Sequence, residues 1–565
     1  MRLGIAAPGC VLLAVALTVV AHAAMTAPAD PQGETEATYR LQAESLARDA
    51  DFVYGERDRL RFKEHGWDSR SAKAVVSLER DSVRYQRPAP YALALAPFVR
   101  FGPERGPFVL QLGLLLALTL MLLGHIARDS PNAAPYWTLA LLFGTPVFSY
   151  TRAVWPELFV ATLLAGAYLL TRDRAASRDL PAMAPAASSP LWLAVRWACV
   201  GGLAALVVLQ DPLYAVFLPA FLAASPRVRR ELAWASAITA FTLVLVTVWI
   251  AGASIAVAGV PFVPETGLGV RPQDALADVA EWTRRLATVE PPAFVVDPQL
   301  WLWNLVYAAV GRSVGLAAAL VALLAFALAG SGRRAVIWSA AAAVALLAIV
   351  LDPFNFFGGP EALGNRRLLP AAVACFFAVR ASVSVWPAVV AACLGFAALA
   401  PLWFGLATHP IDLRDTLLAA PIAAYLPFES SQRYAPVSGE FVGRHFLVRP
   451  VDDAIEPSAS GGQFVLQAGR EGRLMVAAAP SVNHLDLEFG AQAGSELIVR
   501  GGVVEDLLFR PDGGVTFRVR VDDGRIRHRL WRDDGTYEVH MLRLTMPESG
   551  PGGQPFSIGL EGPDS

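Results

Sequence analysis

The feature that most constrains this chain is a series of long apolar segments recurring along its first 407 residues. A bilayer's hydrocarbon core takes about 20 apolar residues per helix, and several segments reach that length. They read as 4–24, 107–127, 134–150, 153–171, 191–209, 212–225, 232–260, 303–330, 335–351, 368–380 and 384–407. This predicts a polytopic α-helical membrane protein with about 11 transmembrane helices. Only 17% of the 565 residues are charged, where a soluble chain carries about a quarter. The charges collect in two blocks, 28–106 and 408–565.

The first apolar segment stands behind Arg2 and ends near Ala21-His22-Ala23. It reads either as a retained first helix or as a signal peptide with a small-residue cleavage site. Either way the next segment leaves the cytoplasm. Arginines in short loops mark the cytoplasmic side. Arg128, the Arg172/Arg174/Arg178 cluster, Arg227/Arg229/Arg230, Arg333/Arg334 and Arg380 fall on one side of this threading. Loops 25–106, 261–302 and 352–367 and the C-terminal block then face outward. The expected location is the inner (plasma) membrane, multi-pass, with an extracytoplasmic C-terminal domain.

The C-terminal block has another texture. Segments such as Gln463–Gln467, Leu485–Phe489 and Val515–Val521 are short and apolar or β-branched, and turns such as Pro511-Asp512-Gly513-Gly514 bound them. About eight to ten such strands predict a β-sandwich-like domain. The expected organisation is 1–24 first helix or signal anchor, 25–106 first outer loop, 107–407 multi-span domain, 408–438 linker and 439–565 sandwich.

A formal net charge of −2 provides no field for nucleic acid. Cys10, Cys199, Cys375 and Cys393 all lie in apolar runs, where a small buried thiol is the ordinary role, and the eight histidines lack zinc-site spacing.

Ionisable residues cluster at the outer ends of the predicted helices. Glu34 and Glu36 follow the first span; Arg152 and Glu157 flank the head of the fourth; Asp211 follows the fifth; Asn355, Arg366 and Arg367 occupy a late outer loop. Charged groups at the edge of the apolar slab point to function, and they also serve as interfacial anchors. Carboxylates with arginines on one face suit a base that activates an acceptor opposite an anionic leaving group.

The order of these features resembles the GT-C superfamily of membrane glycosyltransferases, of the protein mannosyltransferase and lipid A aminoarabinose transferase type. Glu34-Thr35-Glu36-Ala37-Thr38-Tyr39, followed by 41–52, is similar to the family's acidic pair, tyrosine and amphipathic helix. Trp155-Pro156-Glu157 is similar to a Pro-Glu element at a family helix start, and Phe357-Gly358-Gly359 with Gly364-Asn365-Arg366 to a late outer-loop element. Aligning Tyr39 on the family tyrosine puts Thr35 at the first acid, leaving Glu36 as the second.

The resemblance implies inverting transfer of a sugar from a polyprenyl-phosphate carrier to a glycan, lipid or protein acceptor on the outer face. Glu36, then Glu34 or Glu157, would be the base. Tyr39, Arg152, Asn355 and Arg366 would bind substrate, with Arg366 on the carrier phosphate. No cofactor is expected, and a divalent cation stays open. Thr35 at an acid position favours the alternative of a catalytically degenerate scaffold or binding protein in envelope assembly; a transporter ranks third.

Overall fold

In the computed structural model the described residues are, in the main, 6–27, 34–65, 74–171, 190–224, 335–351, 366–379, 385–399 and 446–559, with short interruptions. The chain divides into two compact units. One comprises Met1–Phe294, Val314–Ala348 and Glu361–His409; the other comprises Val295–Ser313, Ile349–Pro360 and Pro410–Ser565.

The first unit is built from apolar helices. Among the described residues, α1 (Ala6–Met25) and α5 (Gly106–Ala127) are the two helices that are long and apolar enough to cross a membrane. α8 (Pro190–Gln210) and α10 (Ala335–Leu351) also match expected spans closely. α9 (Phe217–Ala224), α11 (Leu369–Ala378) and α12 (Val385–Ala398) cover parts of theirs. Segments 232–260 and 303–330 lie largely outside the described residues. The count of about eleven therefore stays a reading of the sequence.

The expected span 134–150 is two pieces, α6 (Ala134–Gly144) and a 3-10 helix, Pro146–Thr151. The reason is local. Proline pushes the preceding residue out of the helical region, and Thr145 is extended at φ −131°, ψ 157°. Its hydroxyl accepts a hydrogen bond from Val147 N at 3.4 Å, capping the new turn. Likewise α7 begins at Glu157 and runs to Thr171 rather than starting at residue 153.

The described residues within 25–106 form α2 (Glu34–Asp49), α3 (Glu56–Glu64), a hairpin of β1 (Ala74–Glu79) and β2 (Ser82–Tyr85), and α4 (Ala89–Phe101). The resemblance implied an amphipathic helix over 41–52; α2 starts earlier, its residues 35–45 are buried, including Glu36, Arg40 and Glu44, and its last turn, with Arg48, reaches the surface. β1 also pairs with β3 (Gly269–Val270), aligning Ala74 with Val270. Strand pairing requires that residues 74–75 and 269–270 occupy one side of any membrane, as the arginine pattern demands of the two loops that hold them.

The second unit carries two six-stranded antiparallel sheets. One has the order β10 (Ile498–Arg500), β14 (Gly535–Thr545), β8 (Glu471–Ala478), β5 (Phe446–Pro450), β4 (Phe441–Val442), with β13 (His528–Arg532) also on β14. The other has the order β11 (Gly502–Phe509), β12 (Val515–Val521), β9 (His484–Phe489), β15 (Gln554–Gly559), β7 (Gln463–Leu466), β6 (Ile455–Pro457). Alternation explains the core: β9 buries Leu485, Leu487 and Phe489 and turns His484, Asp486 and Glu488 outward. Val448, Leu474, Val476, Leu542 and Leu544 of the first sheet join Phe489, Phe517, Val519 and Phe556 of the second in one apolar cluster. The turn before β12 needs Gly513, whose φ is 82°.

Candidate active site

Two buried ion pairs organise the first unit, and each contains at least one residue singled out in the sequence. On α2, Glu36 and Arg40 are four residues apart, so they share a helix face and form an ion pair with side chains 0% and 3% exposed. The Arg40 guanidinium lies 5.0 Å from the centre of the Phe108 ring, which ties α2 to α5. At the head of α7, Glu157 Oε1 lies 2.7 Å from Arg366 Nε, with side chains 8% and 5% exposed. A carboxylate in the first turn of a helix also meets the positive end of the helix dipole. Arg366 belongs to a short 3-10 helix, Arg366–Leu368, that leads into α11, and its guanidinium stands 5.5 Å from the centre of the Trp155 ring.

Tyr91 of α4 packs against Tyr39 of α2 and Phe159 of α7, the helices that carry Glu36 and Glu157. Its phenol feels the charges of Glu36, Glu157 and Arg40. Its ring meets that of Tyr39 edge-on at 5.0 Å and that of Phe159 at 5.8 Å. Glu157 also acts electrostatically on Tyr150 and Tyr214.

Two glutamines lace this core together. Gln210, at the end of α8, donates from Nε2 to the Tyr39 hydroxyl at 2.7 Å and accepts from Tyr91 N at 3.0 Å. Gln111 of α5 donates from Nε2 to the Tyr91 hydroxyl at 2.7 Å and to the Trp155 carbonyl at 2.6 Å. Four helices and the segment before α7 thus meet through side-chain hydrogen bonds, which buried polar groups require.

The remaining sequence candidates fall as follows. The Thr35 hydroxyl accepts from Arg87 Nη2 at 2.9 Å. Glu34 opens α2, and its side chain lies outside the described residues. Arg152 is half-buried just after the 3-10 helix 146–151, its N–H bonded to Ser149 O at 3.0 Å. Asp211 accepts from Leu213 N at 3.0 Å and caps the short helix Pro212–Val216. The Arg367 carbonyl accepts from the Tyr214 hydroxyl. Asn355 and its neighbours Phe354, Phe356, Phe357, Gly358 and Gly359 lie outside the described residues. Among the described residues, no three of His, Cys, Asp and Glu gather as a metal-ligand set.

Sequence reasoning missed Arg40, Arg87, Tyr91, Gln111 and Gln210. A signal for Gln111 was present, because an amide inside an apolar 20-residue run is costly unless it is hydrogen-bonded.

No protein-family model matches this chain, and no curated protein does. Among solved structures, the crystal structure of ArnT from Cupriavidus metallidurans bound to undecaprenyl phosphate is similar, at a TM-score of 0.42 and 14% identity. The match covers 74% of this chain and 65% of that one, so the present chain spans less than two thirds of its length. At this TM-score the likeness carries no argument about activity, and the functional reading rests on this chain's own residues.

Proposed function

We propose that this chain is a polytopic membrane glycosyltransferase that moves a sugar from a polyprenyl-phosphate carrier to an acceptor on the extracytoplasmic face, with inversion. The observation that carries the reading is the two buried carboxylate–guanidinium pairs on helices that Tyr91 ties together through its contacts with Tyr39 and Phe159. Transfer needs a base for the acceptor and a cation for the departing phosphate, and these pairs contain both. In an inverting displacement the base and the leaving group stand on opposite sides of the anomeric carbon. Glu157 touches Arg366, the guanidinium suited to phosphate, so it belongs to the leaving side and orients that guanidinium. Glu36, paired with Arg40 on α2, belongs to the acceptor side.

The step balances in this arrangement. A Glu36 carboxylate takes the acceptor hydroxyl's proton as its oxygen attacks the anomeric carbon. The bond from that carbon to the carrier phosphate oxygen breaks, its electron pair stays with the phosphate, and Arg366 stabilises the new charge. The C-terminal unit, on this reading a sandwich outside the membrane, either binds glycan or caps the membrane unit.

The test uses the full chain in nanodiscs, with undecaprenyl phosphate as the probe. Wild type is expected to bind it, Arg366→Gln to bind at least about tenfold more weakly, and Glu36→Gln to bind while failing to transfer. No binding by wild type rejects the transferase. Binding without transfer from any sugar-bearing carrier supports the degenerate scaffold, the second reading, which Thr35 favours because Arg87 holds its hydroxyl.

A further inference from the structure

Gln111 lies in the second turn of α5 and is 0% exposed. Both of its Nε2 contacts are short, and one is to the Trp155 carbonyl, which can only accept. The nitrogen must therefore face Trp155, and this fixes which end of the amide is the oxygen. That oxygen, Oε1, has no hydrogen-bond donor among the described residues. Buried amide oxygens ordinarily have one. The amide cannot rotate to find a donor without giving up the Trp155 carbonyl.

The position of this acceptor is informative. Trp155 is the ring beside the Arg366 guanidinium, and Tyr91 is the ring that meets Tyr39 of the Glu36 helix and Phe159 of the Glu157 helix. Gln111 grips both residues. With carrier phosphate at Arg366 and acceptor at Glu36, the sugar occupies the interval that Tyr91 borders. We propose that Gln111 Oε1 accepts a hydrogen bond from a hydroxyl or amino group of the transferred sugar, which makes Gln111 a specificity-determining residue. This rests on the transferase reading above. A neutral amide held among apolar and aromatic groups recognises a neutral donor, and a ligand without one at that position leaves the oxygen buried and unsatisfied.

The experiment measures binding to the full chain in nanodiscs. The probes are undecaprenyl phosphate, the same carrier bearing glucose, mannose or aminoarabinose, and single-deoxy or deamino analogues of the tightest binder. Wild type is expected to lose about five- to tenfold in affinity for one analogue and little for the others. Gln111→Leu is expected to bind the parent sugar-carrier about five- to tenfold more weakly and to bind that analogue no more weakly than it binds the parent. If wild type does not bind undecaprenyl phosphate itself, the transferase reading fails and the assignment falls with it. If wild type binds the carrier but every analogue binds like its parent, the Gln111 assignment alone is overturned. It is likewise overturned if a folded Gln111→Leu still discriminates as wild type does. Should Gln111→Leu fail to fold, the analogue series on wild type decides.

Discussion

The Glu157–Arg366 pair makes a prediction about stability that is independent of any substrate. Its charged atoms are 2.7 Å apart and its side chains 8% and 5% exposed, so it belongs to the buried class of ion pairs. Removing one partner of such a pair costs about 3–5 kcal/mol, because the other charge keeps its desolvation penalty. The Trp155 ring beside Arg366 offsets part of this in Glu157→Gln, by about 1 kcal/mol, leaving a loss of about 2–4 kcal/mol. Arg366→Gln loses the ring contact as well and should cost at least as much. Glu157→Gln/Arg366→Gln removes both charges and leaves two amides able to hydrogen-bond, so it should be less destabilised than the sum of the singles by about 2 kcal/mol or more. The assay is denaturant-induced unfolding of the full chain in detergent, followed by tryptophan fluorescence, for all four proteins. Single variants within about 0.5 kcal/mol of wild type, or a double variant equal to the sum, would refute the placement of this pair in a buried site.

Three further outcomes follow from the geometry. A Cβ on Gly395 of α12 would run into the Gly144 backbone and the Phe143 carbonyl of α6, whereas one on Gly113 of α5 meets nothing within 4 Å. Gly395→Leu should therefore abolish the monodisperse peak in size-exclusion chromatography, and Gly113→Ala should leave it intact. In the C-terminal unit Phe489 stacks on Phe556 at 5.0 Å and meets Phe517 edge-on at 5.6 Å. Phe489→Ala should cost about 3–5 kcal/mol and open 446–559 to limited proteolysis within the full chain. Burial raises the Asp58 carboxyl from 3.8 to about 6, against the lowering influence of Gly55 N and Arg61. The unfolded carboxyl loses its proton first, so stability is fully present below 3.8 and falls as pH rises through about 6. Hydrogen exchange of α3, corrected for intrinsic rates, should show more protection at about pH 5 than at about pH 7.5, and Asp58→Asn should flatten that difference; a slope that survives the substitution rejects Asp58 as its source.

Much of the architecture was legible because it is encoded locally. A helix such as α5 needs only an unbroken apolar run, and residues 107–127 provide one with little charge. β9 needs only alternation, and Leu485, Leu487 and Phe489 supply it. The break at Thr145 was equally local, since Pro146 carries its signal, yet the apolar run around it masked the proline. α2 was harder. Its sequence does not say which charged residues lie inside, and only the elements packed around it show Glu36, Arg40 and Glu44 to be buried.

The candidate site divides the same way. By itself the sequence determined that Glu36, Glu157 and Arg366 stand at the ends of apolar segments, because a charge there has few other roles. It also determined that Glu36 and Arg40 share a face, because helical spacing sets that contact. Tertiary structure alone decided that Glu157 meets Arg366, that Tyr91 packs on Tyr39 and Phe159 and that Gln111 reaches Trp155. These partners are distant in the chain, and neither apolar periodicity nor residue type specifies which polar group faces which. That choice is made by the packing of whole helices, which must satisfy every buried donor and acceptor at once.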